Sequence, residues 1–439
     1  MMDPPHVDMS SEDPARPANP GTFLASQCGK SGHAQARVGV DFPVFVVLPA
    51  GGSGERTGLQ TPKQFCLLLG RPLISYTIQA FERVSWIRSI VVVVAKENMD
   101  LMAAIIGRFR HDKVRVVPGG STRHRSICNG VMALGEVEEE EAEEEKENKV
   151  VIIHDAVRPF VEEDLLYRVT MAAQEHGASG AIRPLVSTVI ATTSEGFLDH
   201  SLERAKYRAS EMPQAFMYSI IQRAYKRCTE ADFDFGTECL HLVLQYCGTN
   251  AKLIEGPPTL WKVTYKRDLA AAESVIKDTL SRSACIITGG CSHARMLADS
   301  LYKAFCNLEM ELDIIPDVRG DNGSRIKAWN FIQFSMNDSD LDKVEATFAA
   351  VEGTNQTLLH PVVVIVVHLR TLDRWAAEPT AFAELASAAK LRNILLYGVH
   401  LQQSKDAEHW ARSLSKAAEL ASALIRERSE ALVGQLLQT

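Results

Sequence analysis

The chain has 439 residues, a formal net charge of −8, 46% hydrophobic residues and 23% charged residues. This length predicts two domains, and the composition is that of an ordinary globular protein. The negative charge argues against nucleic acid as a main partner, and no segment approaches the roughly 20 apolar residues of a membrane span.

The first 42 residues are rich in Pro, Ser, Gly and Asp and contain no apolar run. This composition predicts a disordered tail and no signal peptide, and Asp3 and Asp8 are unlike a transit peptide. The chain has nine cysteines and no Cys-x-x-Cys pair, which indicates reduced thiols rather than a disulfide framework or a zinc site. We therefore expect a cytosolic protein.

Residues 43–280 begin with apolar runs that alternate with segments of helical periodicity. This alternation predicts a doubly wound, mostly parallel α/β sheet of the Rossmann-like kind. The predicted strands are Val44–Leu48, Ile90–Ala95, Val114–Val117 and Val150–His154, and the predicted helices are Leu73–Arg83, Met99–Phe109 and Thr122–Leu134.

Two segments interrupt this pattern. Nine of the thirteen residues 136–148 are glutamate, and like charges at this density repel, so we expect a disordered loop insertion. Residues 183–216 have too few apolar positions to bury both faces locally, which favours an extended arm that packs elsewhere, for example on a partner subunit. Beyond the arm we expect helices at Met217–Ala231, Gly236–Tyr246 and Arg267–Leu280, and short strands at Lys252–Ile254 and Trp261–Val263.

A second alternating series occupies residues 284–439, after a junction at 277–283. It predicts a second Rossmann-like α/β domain. The expected strands are Cys285–Thr288, Leu312–Pro316, Phe331–Ser335, Pro361–Val367 and Ile394–Val399, and the expected helices are His293–Cys306, Leu341–Val351, Ala381–Leu391 and Glu408–Leu437.

The loop that follows the first strand is the first candidate for a binding site. Gly51-Gly52-Ser53-Gly54 matches neither the dinucleotide fingerprint nor the Walker A pattern. Glycines nevertheless let a backbone approach a phosphate closely, and successive N–H groups form anion-binding concavities. Arg56 and Lys63 follow, and phosphoryl chemistry needs such cations to hold charge that develops on the transferred phosphorus.

A second glycine pair, Gly119-Gly120, opens a predicted helix, and Ser121 is the expected cap. Arg123 lies in the first turn of that helix, where a cation opposes the helix dipole. Its position indicates either an anionic ligand or a salt bridge to the acidic loop.

Asp155 follows the strand that begins at Val150. A carboxylate at the carboxyl end of a parallel strand, beside a glycine loop, is where a Mg²⁺ ligand is expected, since Mg²⁺ favours one or two carboxylates plus phosphate oxygens. The alternative is that Asp155 caps the next turn or pairs with Arg158.

The chain carries a set of short motifs in this order: Ala50-Gly51-Gly52-Ser53-Gly54-Glu55-Arg56, Pro62-Lys63-Gln64, Gly119-Gly120 with Arg123 and Ser126, His154-Asp155-Ala156-Val157-Arg158-Pro159, Val186-Ser187-Thr188, Pro213-Gln214-Ala215-Phe216 and Trp261-Lys262-Val263-Thr264. Together these motifs make the chain similar to the methylerythritol-phosphate cytidylyltransferase family over residues 43–278. The longer chain, with its acidic insertion and second domain, resembles the animal branch of this family, which makes CDP-ribitol for glycans of α-dystroglycan.

This resemblance implies a transfer of CMP from CTP to a pentitol phosphate, and it implies a homodimer in which the arm completes the partner's site. Arg56 and Lys63 would stabilise the α-phosphate, and Asp155 would hold Mg²⁺ or another divalent cation. The nucleotide would contact Ala50, Gly51, Gly52, Ser53, Gly54, Gly120, Ser121, Arg123, Ser126 and Asp155, and the pentitol phosphate would contact Arg158, Thr188, Arg204, Thr237 and Lys262.

The chain departs from the family pattern at two positions. Thr259 stands where the bacterial members usually have a second metal-binding Asp, and Trp261 is bulkier than expected. Both changes are compatible with a different sugar-alcohol phosphate as the acceptor, and the resemblance of the longer chain implies D-ribitol 5-phosphate. The alternatives are methylerythritol 4-phosphate, used in isoprenoid synthesis, and a non-catalytic scaffold that keeps the fold.

The second domain opens with Thr288-Gly289-Gly290, which resembles the first turn of short-chain dehydrogenases. The later glycines of that motif and a Tyr-x-x-x-Lys pair are missing. We therefore expect a degenerate Rossmann-like scaffold, and the alternative is an active reductase that would make the enzyme bifunctional.

Overall fold

The computed structural model describes the chain from residue 39 onward with several gaps, and Val40–Thr439 forms one compact unit. Among the residues that the structure describes, no helix is long and apolar enough to cross a membrane. Residues 1–38 of the predicted tail and 136–147 of the predicted acidic loop lie outside the described residues, whereas Val40 and Phe42, at the end of the predicted tail, pack against an apolar core. The described ranges are 39–52, 58–135, 148–236, 238–289, 292–306, 308, 310–318, 328–335, 341–354, 356–370 and 379–439.

The first part of the chain forms a seven-stranded sheet in the order β11-β7-β10-β6-β1-β4-β5. Strands β1, β4, β5 and β6 are parallel, as predicted, whereas β10 runs antiparallel to both of its neighbours. The strands are β1 Val44–Pro49, β2 Leu67–Leu68, β3 Arg71–Pro72, β4 Ile87–Val94, β5 Val114–Pro118, β6 Val150–Ile153, β7 Ala178–Pro184, β8 Ile190–Thr192, β9 Leu198–Ser201, β10 Arg208–Met217 and β11 Lys252–Glu255.

Helices cover both faces of this sheet, because successive side chains of its central strands point to opposite sides. Val44, Val46 and Leu48 of β1 enter one apolar core, and Phe45 and Val47 enter the other. The helices are α1 Leu73–Glu82, α2 Met99–Phe109, α3 Arg123–Ala133, α4 Glu163–His176, α5 Tyr218–Arg227, α6 Glu230–Phe235, α7 Cys239–Cys247 and α8 Lys266–Leu280.

The predicted arm is shorter than residues 183–216. Its last part belongs to β10, in which Met212–Phe216 is buried, and β10 pairs with β7 and β6. What projects is the antiparallel hairpin of β8 and β9, on which Phe197 and Leu198 are 68% and 65% exposed. The strand predicted at Trp261–Val263 is wrong, since this segment has no regular structure and joins the fold through one backbone bond from Val263 to Val157.

The second domain is built on a six-stranded parallel sheet in the order β13-β12-β14-β15-β16-β17. Its first five strands have the order 2-1-3-4-5, the flavodoxin-like form of the doubly wound fold, so the predicted doubly wound α/β architecture is confirmed. The strands are β12 Ser283–Ile287, β13 Glu311–Ile315, β14 Asn330–Ser335, β15 Val362–Arg370, β16 Ile394–Gln402 and β17 Leu436–Gln438.

The predicted final helix, Glu408–Leu437, is too long. It ends at Glu427, because Arg428 has a left-handed backbone conformation with φ of 50°, and the chain then turns to form the edge strand β17. The helices of this domain are α9 Ser292–Cys306, α10 Leu341–Gly353, α11 Gln356–Leu359, α12 Pro379–Leu391 and α13 Ala407–Glu427.

Candidate active site

Three loops meet at the carboxyl edge of the first sheet. They follow β1, β5 and β6, and they begin with Ala50, Gly119 and His154. The strand order reverses between β1 and β6, and open α/β sheets bind their ligands at such a switch point. The first and third loops therefore flank the position where a ligand is expected.

A cavity of about 330 Å³ lies between these loops. Lys63, Arg123, Lys262 and Asp155 supply the charges of its described lining. The lining residues are Pro49, Ala50, Gly51, Gly52, Lys63, Gln64, Gly120, Ser121, Thr122, Arg123, Ser126, Asp155, Ala156, Val157 and Lys262.

The first loop is held in place by Gln64, whose role the sequence alone does not predict. Gln64 is 2% exposed, and its Nε2 donates to the carbonyl oxygens of Ala50 at 2.7 Å and Gly52 at 3.0 Å. The short helix that carries Gln64 also buries Lys63 against the cavity. The motif Pro62-Lys63-Gln64 therefore supplies one cation and one loop anchor.

The second loop is tightly packed against the start of α3. A Cβ at Gly120 would lie 2.4 Å from the Cβ of Arg125, so this position requires glycine. Ser126 Oγ accepts from the Gly120 N–H at 3.2 Å and donates to the Thr122 carbonyl at 3.0 Å. Ser126 was predicted to contact the nucleotide, and its hydrogen bonds show that it also holds the turn of this loop.

Ser121 was the predicted cap of this helix, but the prediction is wrong, and Thr122 is the cap. The Oγ1 of Thr122 accepts from the Arg125 N–H at 3.3 Å, and its hydroxyl donates to the Phe233 carbonyl at 2.6 Å. Ser121 is exposed and lines the cavity. Ser121 therefore borders the space where a ligand would bind and does not cap the helix.

The third loop places Asp155 among three cations. Arg123 Nη2 lies 3.2 Å from Asp155 Oδ1, and both Arg158 Nε and Lys262 Nζ lie 3.1 Å from Oδ2. Burial by itself raises the pKa of the Asp155 carboxyl, but Arg123, Lys262 and Arg158 outweigh it and hold this pKa well below its usual range. Asp155 is therefore ionised at physiological pH.

Arg158 lies behind Asp155 and outside the described cavity lining. Its Nη1 donates to the Glu211 carboxylate and to the Leu260 carbonyl, in addition to the bond from Nε to Asp155. Glu211 was not predicted, because only the sheet brings β10 beside this loop. Arg158 thus ties together the two segments that carry Asp155 and Lys262.

His154 supports the same loop from below. It is fully buried, with Nε2 2.9 Å from the Arg158 carbonyl and its ring edge-on to Phe81 at 5.1 Å between centroids. Burial lowers the pKa of His154 to about 4, so the imidazole is neutral at pH 7 and its Nε2–H donates to that carbonyl. This geometry makes His154 a loop support and does not place it in the cavity lining.

The described residues contain no group of three or more His, Cys, Asp or Glu side chains that would bind a metal ion by themselves. Thr259 is exposed and lies outside the cavity lining. Asp155 alone supplies a carboxylate to the described lining, and one carboxylate plus ligand phosphates is a donor set that suits Mg²⁺.

Two predicted ligands of the pentitol phosphate, Thr188 and Arg204, lie on the arm. Both side chains are exposed, and Arg204 Nη1 donates to the Val186 carbonyl at 2.8 Å. Neither residue lines the cavity of its own chain. Four further predicted site residues, Ser53, Gly54, Arg56 and Thr237, lie outside the described residues.

Comparisons with known proteins separate the two parts of the chain. The family model described as 2-C-methyl-D-erythritol 4-phosphate cytidylyltransferase matches residues 44–278. A second model, described as D-ribitol-5-phosphate cytidylyltransferase C-terminal domain, matches residues 282–418.

Curated relatives repeat this pattern. The D-ribitol-5-phosphate cytidylyltransferase of Xenopus tropicalis is 49% identical and covers 89% of this chain and 97% of its own length. The human protein of the same name is 45% identical and covers 96% of this chain and 98% of its own length. The 2-C-methyl-D-erythritol 4-phosphate cytidylyltransferase of Syntrophus aciditrophicus is 35% identical but covers only 53% of this chain and 96% of its own length.

Proposed function

The chain belongs to the D-ribitol-5-phosphate cytidylyltransferase family, and we propose that it transfers the CMP group of CTP to D-ribitol 5-phosphate, which yields CDP-ribitol and pyrophosphate. The observation that supports this reaction best is the cavity in which three cations and Asp155 face a glycine loop. Such a set matches a nucleoside triphosphate with a divalent cation.

The proposed chemistry is an in-line displacement at the α-phosphorus of CTP. An oxygen of the ribitol phosphate monoester forms the new bond to this phosphorus, and the bond to the β-phosphate bridging oxygen breaks as pyrophosphate leaves. The second pKa of a phosphate monoester is about 6, so the nucleophile is already anionic at pH 7. The enzyme therefore needs positioning and charge neutralisation rather than a strong general base.

The described residues divide these tasks. Lys63 and Arg123 lie in the lining, where their charges would stabilise the negative charge on the transferred phosphorus and the leaving pyrophosphate. Backbone groups of Ala50, Gly51 and Gly120 would contact the nucleotide. Lys262 would hold the acceptor phosphate, and we assign the same role to Arg158, Thr188, Arg204 and Thr237 on the family resemblance.

We further propose that Asp155 holds Mg²⁺ together with phosphate oxygens of CTP. The low pKa of its carboxyl supports this role, because a hard divalent cation prefers an ionised oxygen ligand. When bound, such an ion would neutralise charge on the triphosphate. Lys262 and Arg158, which share Asp155 Oδ2, would then be available to anionic groups of the substrates.

We propose a homodimer that forms through the arm. The hairpin exposes Ile190, Phe197 and Leu198 to more than half of their area, and an unpaired apolar ribbon of this kind is typical of a surface that a partner covers. Because Thr188 and Arg204 lie on the same arm, dimerisation would bring them to the partner's cavity.

A cytosolic location is also proposed. It is supported by seven free cysteines among the described residues, which suit a reducing compartment. In this compartment CDP-ribitol would serve as the activated donor for O-mannosyl glycans, including those of α-dystroglycan.

The reaction is tested by measuring pyrophosphate release from purified protein with CTP, Mg²⁺ and one acceptor at a time. Turnover with D-ribitol 5-phosphate, lost in Arg56→Ala and Lys63→Met, is the expected result. Turnover with methylerythritol 4-phosphate alone would overturn the acceptor, and no turnover with either acceptor would favour the scaffold alternative.

A further inference from the structure

Helix α8 connects the candidate active site to the second domain. It has 15 residues, Lys266–Leu280, and its rise of about 1.5 Å per residue makes it roughly 22 Å long. Its first turn follows the segment that carries Lys262, and its last turn contacts the second domain. A helix held at both ends transmits the position of one end to the other, because its backbone is rigid.

The last turn of α8 is held by Asn330, the first residue of β14. The Nδ2 of Asn330 donates to the carbonyl oxygens of Leu280 and Ser283, each at 2.7 Å, and the side chain is fully buried. One amide group thus joins the end of α8 to the start of β12. A buried carbonyl that loses its donor is costly, so this arrangement is strongly favoured.

Arg428 completes the same group of bonds. Its Nη2 donates to Asn330 Oδ1 at 2.6 Å, and its Nη1 donates to the Pro361 carbonyl at 2.6 Å. The guanidinium fixes the orientation of the Asn330 amide, because the oxygen that accepts from Arg428 leaves the nitrogen to face α8. Ser281 adds a bond from its Oγ to the Ile425 carbonyl at 3.3 Å.

Apolar contacts follow the same path. Ile276 and Leu280 of α8 pack in one buried cluster with Tyr76 and with Val263, the residue next to Lys262. Trp329 of the second domain packs against this cluster. The second domain therefore supports α8 on its side as well as at its end.

The first turn of α8 is coupled equally closely to the site. The Asp268 carboxylate accepts from the N–H groups of Thr264 and Tyr265, each at 2.8 Å. The Val263 N–H donates to the Val157 carbonyl at 3.1 Å, beside Asp155. These bonds leave the Lys262 backbone little freedom, and its Nζ reaches Asp155 from this fixed position.

We propose that the second domain positions Lys262 for catalysis through α8, and that Asn330 and Arg428 are the positioning residues. This inference rests on the proposed function, because it assigns a consequence for the same reaction. Both residues lie outside the described cavity lining and act only through the helix. The second domain is then part of the catalytic design and not a passive attachment.

Two variants test the inference with different severity. Asn330→Asp keeps an acceptor for Arg428 but removes the Nδ2 donor to the carbonyl groups of Leu280 and Ser283. Arg428→Lys keeps the charge but lacks the planar fork that bonds the Pro361 carbonyl and the Asn330 amide oxygen together. Arg392→Met is the matched control, since Arg392 pairs with Glu352 within the second domain and contributes no described bond to α8.

We expect each test variant to raise the KM for D-ribitol 5-phosphate about tenfold, which corresponds to about 1.4 kcal/mol. The KM for CTP should stay within about twofold of the wild-type value, and so should both KM values of the control variant. Each test variant is also combined with Lys262→Gln in a double-mutant cycle. The losses in kcat/KM of the two single variants should be strongly non-additive in the double variant. Additive losses, or a lower amount of active enzyme with unchanged KM values, would overturn the inference.

Hydrogen exchange provides a readout that needs no substrate. The amides of Val263, Thr264 and Tyr265 should exchange faster in Asn330→Asp than in the wild type and in Arg392→Met. Unchanged exchange at these three amides would also overturn the inference. If the wild type does not use ribitol phosphate, the proposed function fails, and the exchange experiment still decides whether the second domain controls this segment.

Discussion

Lys262 Nζ and Asp155 Oδ2 lie 3.1 Å apart, and this pair joins two distant parts of the chain at one edge of the first sheet. Arg158 shares the same oxygen, and Arg123 contacts the other one. A single carboxylate therefore organises three cations before any substrate binds. Loss of that carboxylate would leave three positive charges close together, with consequences for both stability and catalysis.

Asp155→Asn should lower kcat/KM by about 10²–10³-fold and weaken the activation by Mg²⁺, because the amide removes the ionised oxygen that would hold the cation. It should also lower the free energy of unfolding by about 3 kcal/mol, since one partner of a buried charge network is removed. Pyrophosphate release at several Mg²⁺ concentrations and urea denaturation measure the two effects. Asp164→Asn is the matched control, because Asp164 pairs with Arg168 on the surface.

Wild-type metal dependence in Asp155→Asn would contradict the metal assignment.

The sign of the pH effect on stability follows from the lowered pKa of Asp155. Asp155 contributes stability that is fully present above the unfolded pKa of about 3.9 and is lost as the pH falls below it. The stability difference between the wild type and Asp155→Asn should therefore stay constant above about pH 5.

Gly120→Ala should raise the KM for CTP at least about tenfold, because the new Cβ would lie 2.4 Å from the Arg125 Cβ and displace the second loop. Gly107→Ala is the control. Gly107 lies within α2 and has no atom within 4 Å of a new Cβ, so this change should stabilise the protein by up to about 1 kcal/mol without altering KM. Steady-state kinetics and thermal denaturation of both variants make the comparison, and an unchanged KM in Gly120→Ala would contradict the loop's role.

The sequence was sufficient to predict the strands that carry the site, since short apolar runs rich in β-branched residues, such as Val44–Leu48, are typical of buried strands in an α/β protein. It was also sufficient to place Asp155 and the glycine loops at one sheet edge. The bonds from Gln64 to the first loop and from Arg158 to Glu211 were missed, because only the folded chain brings these residues together. The end of α13 was missed because the left-handed conformation of Arg428 depends on its buried partners rather than on a glycine.

The arm should mediate dimerisation. Replacing both Phe197 and Leu198 by Ser should convert the protein to a monomer, because these side chains form the exposed apolar part of the hairpin and are expected to be buried in the dimer. Leu391→Ser is the control, since Leu391 is 91% exposed on α12 and lies away from the arm in sequence. Analytical ultracentrifugation measures the oligomeric state, and a monomeric wild type would contradict the prediction.

His360 should make the protein less stable in acid. Its ring packs between Tyr76 and Trp329, and burial, with the nearby charges of Arg71 and Arg428, lowers its pKa to about 3. An unfolded histidine has a pKa near 6.5, so between about pH 6.5 and 3 the unfolded state binds a proton that the folded state does not. The free energy of unfolding should therefore fall with decreasing pH, with a contribution from His360 of up to about 1.4 kcal/mol per pH unit.

His360→Gln removes this titration. Its free energy of unfolding should therefore change less steeply with pH than that of the wild type, and the difference in slope should correspond to nearly one bound proton. His409→Gln, at an exposed position on α13, should leave the slope unchanged. Urea denaturation at a series of pH values between 4 and 7 measures both slopes. Equal slopes in the wild type and His360→Gln would mean that the imidazole is protonated in the folded protein, and that its contact with Tyr76 and Trp329 tolerates a charge.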